Sequence, residues 1–102
     1  MKIKFFDKRL EDFIKSLEKP AVAKILRTLD LLEMFGYEHG MPHSRKISNR
    51  LFELRIRGTQ EIRVFYTFHR DEVILLHGFI KKTERTPQKE ISIALAKLQR
   101  LT

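Results

Sequence analysis

Three runs rich in β-branched and aromatic residues, Leu51 to Arg57, Ile62 to His69 and Val73 to Ile80, follow one another with Gly58-Thr59-Gln60 and Arg70-Asp71 as their connections. Connections this short cannot hold a parallel crossover, so each strand must turn back on the one before it. The second half of the chain is thereby committed to a three-stranded antiparallel meander.

The other elements follow from period and punctuation. Lys2, Ile3, Lys4 and Phe5 alternate as a short strand, and Asp7 suits the N-cap of a helix whose apolar positions are Leu10, Phe13, Ile14 and Leu17. That helix is expected to end near Lys19. Pro20 fits the first turn of a second helix with a buried stripe of Val22, Ile25, Leu26, Leu29 and Leu32 and a stop at Gly36. From Tyr37 to Asn49 no period persists, which reads as a loop with room for a short strand around Lys46 and Ile47. Thr86-Pro87 offers a cap and a first-turn proline to a last helix carrying Ile91, Ala94, Leu95 and Leu98. The order β-α-α-β-β-β-α predicts one α+β domain over residues 1–102, its helices packed on the sheet.

At 102 residues without cysteine, neither a disulfide framework nor a thiolate metal site is available. The N-terminus lacks an apolar run of signal-peptide length, and no stretch approaches a membrane span, so a soluble, cytoplasmic protein with no membrane partner is expected. The net charge is +8, from 21 Lys and Arg against 13 Asp and Glu. It is unevenly placed. Residues 1–40 hold eight basic and seven acidic side chains, whereas residues 41–102 hold thirteen and six. An anionic partner for the second part is the natural inference.

Alternation along the strands sharpens this. Phe52, Leu54 and Ile56 point to one face and Glu53, Arg55 and Arg57 to the other; on the next strand Ile62, Val64, Tyr66 and Phe68 oppose Arg63, Phe65, Thr67 and His69. The apolar side is the core, and Arg63 joins Arg55 and Arg57 on a basic, partly aromatic surface. Glu53 and Glu61 could also simply neutralise a solvated face through cross-strand pairs. The third strand leaves through Lys81, Lys82 and Arg85, while Arg45, Lys46 and Arg50 precede the sheet, so positive charge can ring one end of it. Nucleic-acid phosphates are the matching ligand.

Other chemistries lack their motifs. There is no Gly-rich phosphate loop, HExxH helix or acidic metal cluster, and His39, His43, His69 and His77 lack metal-site spacing, so neither metal nor cofactor is expected. His77, inside an apolar strand, suits a structural place as well as a chemical one. Ser16, Ser44, Ser48 and Ser92 have no triad context.

The string LFELRIRGTQEIRVFY, followed by VILLHGFIKKTERTPQKEI, resembles the HigB-like, phage-derived branch of the RelE/ParE toxin superfamily over nearly the full chain. The matching features are Phe52-Glu53-Leu54-Arg55, the Arg63 to Tyr66 strand, and Leu76 to Lys82 leading into Thr86-Pro87 and a Glu-bearing helix. The resemblance implies a RelE-like microfold, with two N-terminal helices on a curved antiparallel sheet whose concave side is active. It implies a type II toxin, an mRNA endonuclease often acting on the translating ribosome. Its partner would be an antitoxin encoded next to it, commonly of helix-turn-helix type, through which alone the pair contacts operator DNA. Arg55, Arg63, Lys81 and Lys82 match family active-face positions, and Arg57 and Lys46 match more weakly. Relatives that carry a C-terminal tyrosine or histidine for proton transfer differ from this chain, which ends AKLQRLT.

RNA cleavage without metal is chemically reasonable, because the 2′-hydroxyl is tethered beside the phosphorus it attacks. The protein must take up that proton, stabilise the phosphorane and ease departure of the 5′ oxygen. Arg55 and Arg63 suit the phosphorane. Lys82, Lys81 and Lys46, or alternatively His77 or His43, are the proton carriers on offer. Three other readings stay open from sequence: a ParE-like gyrase poison, a non-catalytic nucleic-acid-binding protein, and a toxin that has lost activity but keeps its antitoxin.

Overall fold

The computed structural model describes residues 2–36 and 44–101. Its elements are β1 (Lys2–Phe5), α1 (Lys8–Lys15), α2 (Lys19–Phe35), β2 (Ser44–Ser48), β3 (Leu51–Ile56), β4 (Glu61–His69), β5 (Glu72–Lys81) and α3 (Gln88–Gln99). The strands form one sheet in the order β1-β5-β4-β3-β2. This is the expected α+β class, and the short strand for which the sequence left room around Lys46 exists, extending the meander antiparallel to β3. One difference lies at the other edge of the sheet. β1 joins the far edge parallel to β5, Ile3 opposite Val73, so the sheet is mixed rather than antiparallel throughout.

Local chemistry explains the elements. The Asp7 carboxylate accepts from the Leu10 N–H at 3.1 Å and starts α1, which stops at Ser16, earlier than expected, because Lys19 already belongs to α2. Gly36 ends α2 at φ 65°, a conformation that glycine adopts without a Cβ penalty. Arg70 and Asp71 both have positive φ, 50° and 63°, the two-residue turn whose twist suits a hairpin, here made without glycine.

Two cores flank the sheet. On one face Phe52, Leu54, Ile56, Ile62, Val64, Tyr66, Val73 and Leu75 pack beneath α1 and α2. On the other, Leu51, Phe65, Ile74, Leu76 and Phe79 pack beneath Ala94 and Leu98 of α3. The face expected to be a basic surface is therefore half covered, and only its polar remainder reaches solvent. The stripe of α2 is also rotated from expectation. Ile25, Leu29 and Leu32 are buried, but Thr28 takes the place of Leu26, which is 54% exposed. Thr28 can go inside because its hydroxyl donates to the Lys24 carbonyl at 2.8 Å. In α3 Leu95 likewise faces outward while Ala94 and Leu98 are buried.

β5 carries a bulge. Phe65 pairs with His77 but Tyr66 pairs with Leu75, so Leu76 is an extra residue and the facing pattern changes phase there. Beyond it Gly78 and Ile80 face the α1 side, whereas Phe79 and Lys81 face the α3 side. Among the described residues no helix is long and apolar enough to cross a membrane.

Candidate functional site

Where α3 leaves the sheet uncovered, β2, β3, β4, the end of β5 and the segment leading into α3 enclose an open cleft of about 600 Å³. Arg45 and Lys46 enter from β2, Glu53 and Arg55 from β3, Arg57 from the following connection, Arg63 from β4 and Lys81 from β5. Glu84, Arg85, Thr86 and Ile91 close the far side. Among the described residues seven cationic side chains and two carboxylates line it, a balance that favours an anion over a cation there.

The register places Arg55 directly opposite Arg63, so the two share a face as alternation predicted. Their surroundings differ. Arg63 is only 6% exposed in its side chain and donates to Glu61 through Nη1 at 2.9 Å, with its Nε 3.7 Å from the Glu53 carboxylate. Glu53 is fully buried, lies 3.2 Å from Arg45 and accepts from the Thr86 hydroxyl at 3.2 Å. Arg55 has no ion pair or hydrogen bond among the described residues, and its buried Nε has no partner. The hydrogen bond from Arg63 holds the Glu61 carboxyl below its ordinary value despite some desolvation.

The remaining expected residues divide. Lys46, Arg57 and Arg85 line the cleft, exposed and without an ion pair among the described residues. Lys81 also lines it, but its ammonium donates to the Glu84 carbonyl at 2.6 Å. Lys82 lies just past β5 and Arg50 in the β2–β3 turn, and neither is part of the lining. His77 is also outside it. Its Nε2 is 2.7 Å from Glu90, and its ring stacks on Phe79 at 6.0 Å, a dyad that pins the first turn of α3 to β5. His39 and His43 lie outside the described residues.

Two features escaped the sequence reading. Glu53 looked like a surface neutraliser and is instead the buried hub of the cleft. Thr86 looked like the cap of α3; the cap position is Pro87, without a side-chain hydrogen bond, and the Thr86 hydroxyl goes to Glu53. The available signal was Glu53 itself, a carboxylate sharing a strand face with two arginines.

None of the curated proteins compared with the chain matches it. A family profile described as phage derived protein Gp49-like (DUF891) matches residues 12–99, which span α2, every strand of the cleft and α3. The chain thus belongs to this Gp49-like family of RelE-like toxins associated with toxin-antitoxin systems.

Proposed function

We propose that the chain is the toxin of a type II toxin-antitoxin pair, of the HigB-like branch, and that it cuts mRNA in this cleft with the RNA's own 2′-hydroxyl as nucleophile. The observation that carries the reading is Arg55, a half-buried guanidinium without a counter-ion among the described residues, facing a cleft also lined by exposed Lys46, Arg57 and Arg85. A desolvated cation with spare donors gains most from a phosphate whose charge grows during reaction. Exposed lysines and arginines around it serve the flanking phosphates.

The reaction needs no co-reactant. The 2′ oxygen bonds to phosphorus as the bond to the 5′ oxygen breaks, leaving a 2′,3′-cyclic phosphate and a 5′-hydroxyl. One proton leaves the 2′-hydroxyl to water in the open cleft, and one is delivered to the 5′ oxygen. Lys46, exposed in the cleft and without an ion pair among the described residues, is the donor this reading assigns, because Lys81 is engaged by the Glu84 carbonyl and His77 by Glu90. Arg63 acts as a positioning residue that, with Glu53, fixes the wall against which Arg55 works. A cognate antitoxin, of helix-turn-helix type and itself the contact to operator DNA, restrains the activity.

Inducing the wild type and Arg55→Ala in a bacterium and mapping new mRNA 5′ ends tests this. Ends bearing 5′-hydroxyls that appear with the wild type and vanish with the variant support the nuclease. Intact mRNA together with inhibited DNA gyrase would replace it with a gyrase poison, and RNA binding without cleavage would reduce the protein to a binding module.

A further inference from the structure

The geometry points to a second binding surface, the groove between α2 and the end of β3, as the seat of an acidic segment of the antitoxin anchored by a large apolar side chain. This rests on the toxin-antitoxin reading for the partner's existence, and on the groove for its chemistry. The groove, about 310 Å³, lies between Lys24, Arg27 and Leu31 of α2 and Arg55, Ile56 and Arg57 beside them. Among the described residues, four cations and no carboxylate line it. The Lys24 ammonium donates to the Arg57 carbonyl at 2.6 Å, which fixes one wall, while Arg27, Arg55 and Arg57 have no carboxylate partner among the described residues.

Its lining is not only charged. Leu31, in the lining, is 36% exposed, and Phe35, one turn further along α2 and outside the lining, is 47% exposed. An RNA backbone would satisfy the arginines and leave these side chains wet. A peptide with an apolar anchor over Leu31 and Phe35, flanked by Asp or Glu reaching the arginines, satisfies both. Arg55 and Arg57 line the groove and the RNA cleft alike. Carboxylates seated here therefore take the cations that RNA phosphates need, and the antitoxin inhibits by competing for them.

The probe is the protein encoded by the open reading frame adjacent to this one, titrated calorimetrically into the full chain, with a single-stranded RNA oligonucleotide titrated in parallel. Arg27→Glu and Leu31→Asp should each weaken the protein partner by about tenfold or more and leave RNA affinity within about twofold, and the partner should displace bound RNA. Lys46→Ala should show the reverse pattern. Folded variants that bind the partner as tightly as wild type overturn the proposal, as does absence of any binding by the wild type or an equal loss of RNA affinity in Arg27→Glu, which would make the groove part of the RNA path. Wild-type cleavage, assayed separately, keeps the two readings apart: groove-dependent partner binding without cleavage discards only the nuclease, and cleavage without groove dependence discards only this surface.

Discussion

Guanidinium groups directly opposite each other on paired strands repel, and the sheet tolerates Arg55 facing Arg63 because Glu61 and Glu53 hold the latter. The two arginines should therefore fail differently when removed. Arg63→Ala leaves the fully buried Glu53 with Arg45 and Thr86 alone, and is expected to cost about 3 kcal/mol in urea denaturation. Arg55→Ala removes a cation unpaired among the described residues, so stability should change by less than about 1 kcal/mol while the proposed cleavage is lost. Finding the larger stability loss in Arg55→Ala would reverse these roles. The pattern of alternating polarity was enough to place both arginines on one face, since the period of a strand is a local property. It could not show which one is compensated. That depends on Thr86 reaching Glu53 from a distant part of the chain, and on α3 drying the surrounding sheet.

At the level of elements, the legible features were those written in local periodicity: the meander, the Asp7 cap and the helical faces of α1. The bulge at Leu76 was hidden because one extra residue in an apolar run leaves no mark on composition, yet it sets which way β5 faces at the cleft. The parallel docking of β1 was hidden for a different reason, since hydrogen bonding to β5 is a long-range choice between two available edges. Gly78 depends on the bulge. After the bulge it faces α1, and an added Cβ there would stand 3.0 Å from Leu10 Cδ1 and 3.1 Å from the Phe13 ring. Gly78→Val should force α1 outward and destabilise the protein by about 1–3 kcal/mol. The check is a denaturation midpoint combined with near-ultraviolet circular dichroism; an unchanged midpoint would mean that α1 does not rest on β5 as described.

For the whole molecule, charge links stability to pH and binding to salt. Asp7 is held below its ordinary 3.8: partial burial works against this but is outweighed by hydrogen bonds from Lys97 and the Leu10 N–H. Glu61 is held below its ordinary 4.5, chiefly by Arg63. A carboxylate whose folded value is depressed stabilises fully above its unfolded value and loses that contribution as pH falls through the folded one. Thermal melts should thus be insensitive to both groups at neutral pH and fall as pH drops below about 4, with Glu61→Gln flattening part of the decline. Salt reports on the other function of the charge. If Arg63, Arg45 and Lys81 are engaged within the protein, only Lys46, Arg55, Arg57 and Arg85 are left to neutralise phosphates. With single-stranded RNA, log affinity should then fall against log salt with a slope of about −3, and Arg85→Ala should shallow it by about 0.7. A slope of about −5 would mean that Arg45, Arg63 and Lys81 release their partners on binding, converting the resting ion pairs and hydrogen bonds of the cleft into phosphate contacts and giving Arg63 a direct part in the proposed chemistry.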